Sequence, residues 1–486
     1  MGIVLNQSLK NTIITYFGFG IGAINTLYLY PIFLGATYYA VTGYILSCAN
    51  VIMPLFAIGM QNTLVKFYSQ YESDEERSQF LSFTVLFPLL LCIPLVLIGL
   101  VFFDDILFFV TKKNPVVNDF IWLIPFIGLC MAYFEIFYAW ARVHMHSVFG
   151  NFVKEVGLRL FSLFALIGVY YKWITVVEFV YVTAGIYLLA LVITMTYAFY
   201  IKKPKFQFTK PNNVKGIIEY TFYIILSGSV ANLLLDGDKI MLNQYMIIEN
   251  IAYYSVATYI ALVISVPSRA MHQIVYPITA RLMHENKFEE LNDLYKKTSI
   301  NLQVVGGFVM LGIFVNINQL YEMVPKEYSG GILVVFMIGI SKYFDLILGN
   351  NNAIIFNTKY YRAVLFLGVF LVLLTIALNM VFIPLYGIIG SAFATLLSIT
   401  LYSVAKLLFV VKRLHLYPFT NQTMYSLGIT FVLFLLFYFW EFPFDPILNI
   451  VLKSILVTIL YIYINYKFVI SVEINQVIKF VLKRFN

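Results

Sequence analysis

Charged residues are scarce in this chain: Asp, Glu, Lys and Arg make up 12% of its 486 residues. Soluble domains carry about a quarter. Together with 61% hydrophobic residues and a mean hydropathy of +0.86, this excludes a water-soluble globule. Cysteine is as scarce. Cys48, Cys92 and Cys130 all sit in apolar runs, none in a CxxC pair, which leaves no disulfide or thiolate metal framework. His144 and His146 lie two apart with no third ligand nearby. The signatures GxSxG and HExxH and the phosphate-loop lysine are missing, so no catalytic constellation is read and no cofactor is expected. The first apolar run is too long for a secretory signal and lacks a small-residue cleavage site. The net charge of +8 comes from bases scattered through short loops, a pattern of membrane topology and not of nucleic-acid binding.

What remains is a succession of apolar runs. A run needs about 20 residues to cross hydrocarbon as a helix. Fourteen qualify, near 12–34, 40–62, 80–103, 119–140, 150–170, 175–200, 220–245, 252–275, 298–317, 330–349, 362–383, 386–410, 422–440 and 447–467. Strands of membrane barrels alternate over about ten residues, whereas these runs are continuous and twice as long. The expected fold is an all-α integral membrane protein with about 14 transmembrane helices. Lysine and arginine orient it. Of the 32, Lys112, Lys113, Lys172 and Lys326 fall in one set of loops, Lys239, Lys342 and Lys453 fall inside spans, and the rest fall on the other side. Both termini are therefore expected in the cytoplasm, and the protein in the cytoplasmic (inner) membrane as a multi-pass chain.

A shift of 212 residues lays Val51-Ile52 on Val263-Ile264, Gln61 on Gln273, and the short outer turn Gly35–Tyr39 on Ile247–Ile251. This predicts two parallel six-helix lobes, 1–201 and 220–412, of the kind that places a transport site between repeats. A basic linker, 202–219, would join them. A further helix pair would cover 413–470 and an amphipathic tail 471–486.

The stretch SGSVANLLLDGDKIMLNQY (227–245) puts Asp236, Asp238 and Lys239 inside span 7. Each such charge costs roughly 2.5–3.5 kcal/mol by insertion scales and marks a functional candidate by default. Lys342 and Asp345, three apart in span 10, share a helix face and are expected either to pair for packing or to act in transport. Lys453 is expected to snorkel to the outer interface. Spans 11 and 12 form a tight hairpin, LNMVFIPLYGIIGSAFATLLS (378–398), turning at Pro384 and Gly387, with Gly390, Ser391, Ala392 and Ala394 as a small-residue surface. Thr375 with Asn379, and Ser391 with Thr395, are i,i+4 pairs. With an aspartate of span 7 their oxygens would suit a sodium ion; alternatively they are ordinary packing hydrogen bonds.

That hairpin resembles one in the bacterial polysaccharide (oligosaccharide/O-antigen) flippases, Wzx-like members of the MOP superfamily. Asp238-Lys239 followed by IMLNQYMIIENIAYYSVA (240–257), and FLGATYYAVTGY (33–44) after span 1, resemble the corresponding family segments. Two departures stand out: Ala40 where the family usually has Gly, and Asp236 in addition to the usual single Asp. The resemblance implies alternating-access transfer of an undecaprenyl-diphosphate-linked oligosaccharide, with Na⁺ or H⁺ as the coupling ion. Arg142, Arg159, Arg269 and Lys342 would meet the diphosphate, with Lys239 and Asp345 also on the path, and Asn25, Thr26, Tyr28 and Tyr30 would meet sugars. Asp236 and Asp238, with the hairpin oxygens, would couple the ion. The expected partners are the lipid-linked oligosaccharide, membrane lipids and glycan polymerase or ligase machinery, with the chain acting as a monomer. A drug or cation antiporter of the same superfamily would favour twelve spans and an acidic cavity. A membrane-embedded polymerase or ligase would need a large outer loop, and every outer loop here is short.

Overall fold

The computed structural model describes residues 2–203, 213–358 and 361–485, and among these every regular element is helical. Among the described residues, twelve helices are long and apolar enough to cross a membrane. The difference from the fourteen expected spans lies in two places. The stretch Tyr361–Leu414 runs through both spans 11 and 12 and leaves helical geometry at Gly387. Span 5 is Ser147–Phe152 and Leu158–Tyr170, joined by the π turn Val153–Gly157. Residues 204–212 of the expected linker lie outside the described residues.

The chain divides into two compact units, Met1–Ser255 and Val256–Asn486. In the first, Gly2–Ile24 passes through a second π turn, Asn25–Leu29, into Tyr30–Phe33. The outer turn expected over Gly35–Tyr39 is narrower: the next helix, Gly35–Ala57, starts on Gly35 itself, whose φ of +69° a residue with a Cβ adopts only under strain. Two helix starts follow from capping boxes, Ser73 with Glu76 ahead of Asp74–Val101 and Thr175 with Glu178 ahead of Val176–Ile201. The core gathers Met60, Leu64, Phe80, Phe137, Trp140 and Ala198. In lipid such packing gains dispersion and not release of water. Span 7, Val214–Tyr245, lies in this unit against Gly35–Ala57.

The second unit packs Phe288–Val315 against Ile332–Ile347 and Asn421–Tyr438, around Val304, Leu311, Leu433, Val457 and Tyr461. The terminal helix Val472–Phe485 is tied back by Ser471 Oγ to Asn301 Oδ1 at 2.5 Å and by Lys297 to Glu473 at 3.8 Å. The hairpin turns at Gly387, with φ +60° and ψ −134°. Its arms then approach so closely that a Cβ on Gly390 would lie 1.9 Å from the Phe382 carbonyl oxygen.

Gly390→Ala is therefore expected to lower stability by about 1–3 kcal/mol through overpacking against backbone, whereas Gly185→Ala, with open space at its Cβ, leaves it unchanged. Thermal unfolding in detergent checks the pair, and equal behaviour of the two variants would contradict the close approach.

Candidate functional site

Span 7 carries its polar residues on one stripe. Thr221, Asn232, Asp236 and Asn243 are separated by 11, 4 and 7 residues, spacings that return to one helix face. Each meets a polar partner in the first unit. Thr221 Oγ1 lies 3.0 Å from Thr63 Oγ1. Asn232 Nδ2 donates to the Asn50 carbonyl at 2.6 Å. Asn243 exchanges hydrogen bonds with the end of the helix Phe103–Thr111 and the loop after it, donating to Val110 O and accepting from Asn114 Nδ2, both at 2.9 Å. Asp236 is the charged member. Its Oδ1 accepts from Ser47 Oγ at 2.9 Å and from Lys239 Nζ at 3.1 Å, and its Oδ2 from Asn50 Nδ2 at 2.7 Å. With side chains 14% and 22% exposed, Asp236 and Lys239 form a mostly buried pair in which both carboxylate oxygens accept hydrogen bonds.

Sequence adjacency does not decide the pairing here. Lys239 lies against Asp236, three residues back on the same face, and adjacent Asp238 points elsewhere, accepting from the Tyr254 hydroxyl at 2.5 Å. The surroundings of Asp236 are donors, one of them an ammonium. As arranged they do not fit a sodium ion, which needs oxygen ligands and is repelled by the lysine.

A second group gathers at the two π turns. Asn25, 2% exposed, donates through Nδ2 to the Arg159 carbonyl at 2.8 Å. The Arg159 guanidinium reaches Glu155 at 3.0 Å and lies 5.1 Å from the Phe19 ring centroid. Thr26 and Tyr28 belong to the same π turn as Asn25, Tyr28 being half exposed, and Tyr30 stacks on Tyr39 at 5.0 Å. Single π turns inside α-helices are frequent at functional sites because the extra residue re-aims side chains. Neither turn has a signature in the hydropathy pattern. Arg142 lies over the Tyr138 ring at 4.9 Å, at the end of Leu123–Val143. His144, beyond it, donates from Nδ1 to the Trp140 carbonyl and accepts from the Tyr68 hydroxyl on Nε2, a structural role.

In the second unit Lys342 and Asp345 line one recess, but the cation bonded to Asp345 is Lys406, at 3.0 Å. Lys406 was counted above among the cytoplasmic bases; it is 1% exposed and sits within the helix Tyr361–Leu414. Its position four residues inside the end of run 386–410 was the available signal. Lys453 is also buried, 1% exposed, and does not snorkel. Its Nζ lies 3.4 Å from Gln319 Oε1, whose amide in turn donates to Glu441 at 3.1 Å. Arg269 is exposed. On the hairpin, Asn379, Ser391 and Thr395 are buried, and Thr375 donates to the Leu371 carbonyl of its own helix at 2.8 Å, as packing hydroxyls do.

The polysaccharide biosynthesis protein family matches residues 4–283, which is more than half of the chain. The chain belongs to that family. A probable flippase, AglR of Haloferax volcanii, is 26% identical over 191 residues, covering 37% of this chain and 39% of that relative. The chain thus aligns with about two-fifths of the curated relative it matches. Among solved structures, the lipid II flippase MurJ in an inward closed conformation matches with a TM-score of 0.73 at 18% identity, covering 95% of this chain and 99% of that one. An inward-facing multidrug resistance MATE transporter of the MOP superfamily matches at 0.60 and 12% identity, covering 85% and 98%. At these identities the structural likeness establishes a shared fold.

Removing one member of the Asp236–Lys239 pair leaves the other charge among apolar helices. Asp236→Leu is expected to cost about 2–3 kcal/mol of stability, between the values for surface and fully buried pairs. The double variant Asp236→Leu/Lys239→Met should recover most of that loss in thermal unfolding. Equal losses in the single and double variants would show that the two do not depend on each other.

Proposed function

We propose that the protein is a flippase that carries a lipid-linked oligosaccharide, of the undecaprenyl-diphosphate type, across the cytoplasmic membrane by alternating access. The observation that carries this reading is the conjunction of family membership with a MurJ-like fold over 95% of the chain. Chemistry supports it. A diphosphate asks for cations and a sugar for amides and aromatic faces; Asn25 is hydrogen-bonded to the Arg159 backbone, and Tyr28 belongs to the same π turn as Asn25. In the second unit an apolar cleft of about 250 Å³, lined by Leu311, Phe314, Phe336, Leu427 and Phe434 among others, offers room for part of a lipid chain. We place both termini in the cytoplasm, with two six-helix lobes joined through 202–219 and followed by the pair in 413–470, and take the monomer as the working unit. Glycan polymerase or ligase machinery would act on the product.

For coupling, we take Asp236 as the exchange point: a cation that reaches it would compete with Lys239. The drug antiporter reading draws on the MATE likeness, but that likeness has the lower TM-score and covers less of the chain.

Deleting the gene should cause carrier loaded with glycan to accumulate on the cytoplasmic face, measured by analysis of lipid-linked glycans. No accumulation would overturn the flippase reading. Restoring the gene with Asp236→Asn should return transport that no longer responds to a Na⁺ or H⁺ gradient. An unchanged ion response would remove Asp236 from coupling.

A further inference from the structure

The recess around Lys406 lies apart from the polar stripe of span 7. It is walled by Val266–His284, Ile332–Ile347, Asn351–Phe356 and Tyr361–Leu414. Lys406 forms its base. The Lys406 side chain is 2% exposed, its Nζ bonded to Asp345 Oδ1 at 3.0 Å and to Asn352 Oδ1 at 3.2 Å and lying 4.4 Å from the Tyr402 ring centroid. Lys342 and His272 complete the polar lining, beside Ser265 and Ser268. Both serine hydroxyls donate to backbone carbonyls of nearby residues, Leu262 and Ser265. The charge-bearing donors of the recess are therefore the two lysines.

Three features distinguish this pair from one that only fixes packing. First, it is lopsided: the cation is enclosed while the Asp345 side chain is 50% exposed. The half-open carboxylate keeps part of its hydration, so exchanging it for another anion on Lys406 costs less than it would in a fully buried pair. Second, Lys342 lines the same recess, so two lysines and one carboxylate face it. Third, its volume is about 30 Å³, room for one or two oxygen-sized groups. That admits the end of an oxyanion and excludes a sugar ring.

We propose that this recess is an oxyanion site for a phosphoryl group: Lys406 and Lys342 take a phosphate oxygen, and Asp345 is the built-in counter-ion that the phosphate displaces. A lysine serves such a site as a compact point charge. Holding the lysine on an internal carboxylate spares an unpaired buried cation when no ligand is present. The proposal rests on the functional reading above for the kind of phosphate, the diphosphate of a lipid carrier. The same chemistry would take free phosphate or an ordinary phospholipid headgroup.

The test uses the full-length purified protein in detergent with three probes: farnesyl diphosphate, inorganic diphosphate and phosphatidylglycerol. The two partners of one ion pair should act with opposite sign. Lys406→Gln, or Lys342→Gln should the first fail to fold, is expected to weaken binding roughly tenfold, in line with loss of one charge-assisted contact. Asp345→Asn is expected to tighten it several-fold, because the competing carboxylate is gone. These shifts with farnesyl diphosphate alone assign the site to a lipid diphosphate. The same shifts with inorganic diphosphate assign it to free phosphate, and with phosphatidylglycerol to a membrane phospholipid. Both variants weakening every probe alike, or neither changing any, overturns the proposal. Loss of flipping function elsewhere would not mimic these outcomes: binding shifts of opposite sign in a protein that does not flip would preserve the site and overturn the functional reading. Flipping with unshifted binding would do the reverse.

Discussion

The cost of placing an ionised group in hydrocarbon organises this molecule. An apolar helix tolerates a charge only where a partner and further hydrogen bonds replace the lost water. Four described charges inside the spans show this. Asp236 is met by Lys239, Ser47 and Asn50; Asp345 by Lys406; Lys453 by Gln319 with Glu441 behind it; Arg159 by Glu155. Each arrangement joins helices or helix turns that hydrophobic burial cannot join, because lipid chains are as apolar as leucine. The polar stripe of span 7 extends the same logic over most of a helix length, from Thr221 to Asn243, and seats that helix on Gly35–Ala57, on Thr63 in Met60–Phe67 and on Val110 in Phe103–Thr111.

Such pairs also suit transport. A mostly buried ion pair has two inexpensive states, closed on itself or opened onto a ligand of matching charge, and an expensive one in which a charge is stranded. Exchange between the first two is the kind of two-state element on which alternating access depends. At Asp236 the competing ligand would be a cation, at Lys406 an anion. The two sites lie in different compact units.

Much of this was legible before any coordinates. Continuous apolar runs require helices in a membrane, and most span ends followed to within about six residues, while span 9 starts at Phe288 and not at 298. The hairpin at Gly387 was marked by Pro384, Gly387 and the small residues after them, and the structure turns there. What sequence could not give was partner choice. Asp238-Lys239 looks like a pair on paper, yet neighbours along a helix point apart and the lysine reaches Asp236 instead. Lys406 near the end of a run reads as an interfacial base until its fold partner Asp345, 61 residues away in the chain, is seen. The π turns at Asn25–Leu29 and Val153–Gly157 left no trace in hydropathy, since one extra residue per turn barely shifts the pattern, although Asn25, Thr26 and Tyr28 were singled out for their chemistry.

The central claim, that this chain moves a lipid-linked sugar between leaflets, is tested most directly in proteoliposomes. The purified protein is reconstituted with a polyprenyl-diphosphate-linked oligosaccharide, and the fraction of sugar open to an external, membrane-impermeant glycosidase is followed over time. The account predicts that the inner-leaflet fraction becomes accessible in vesicles holding the protein and stays protected in empty vesicles. Continued protection in vesicles that hold folded protein, with and without an imposed ion gradient, would contradict it.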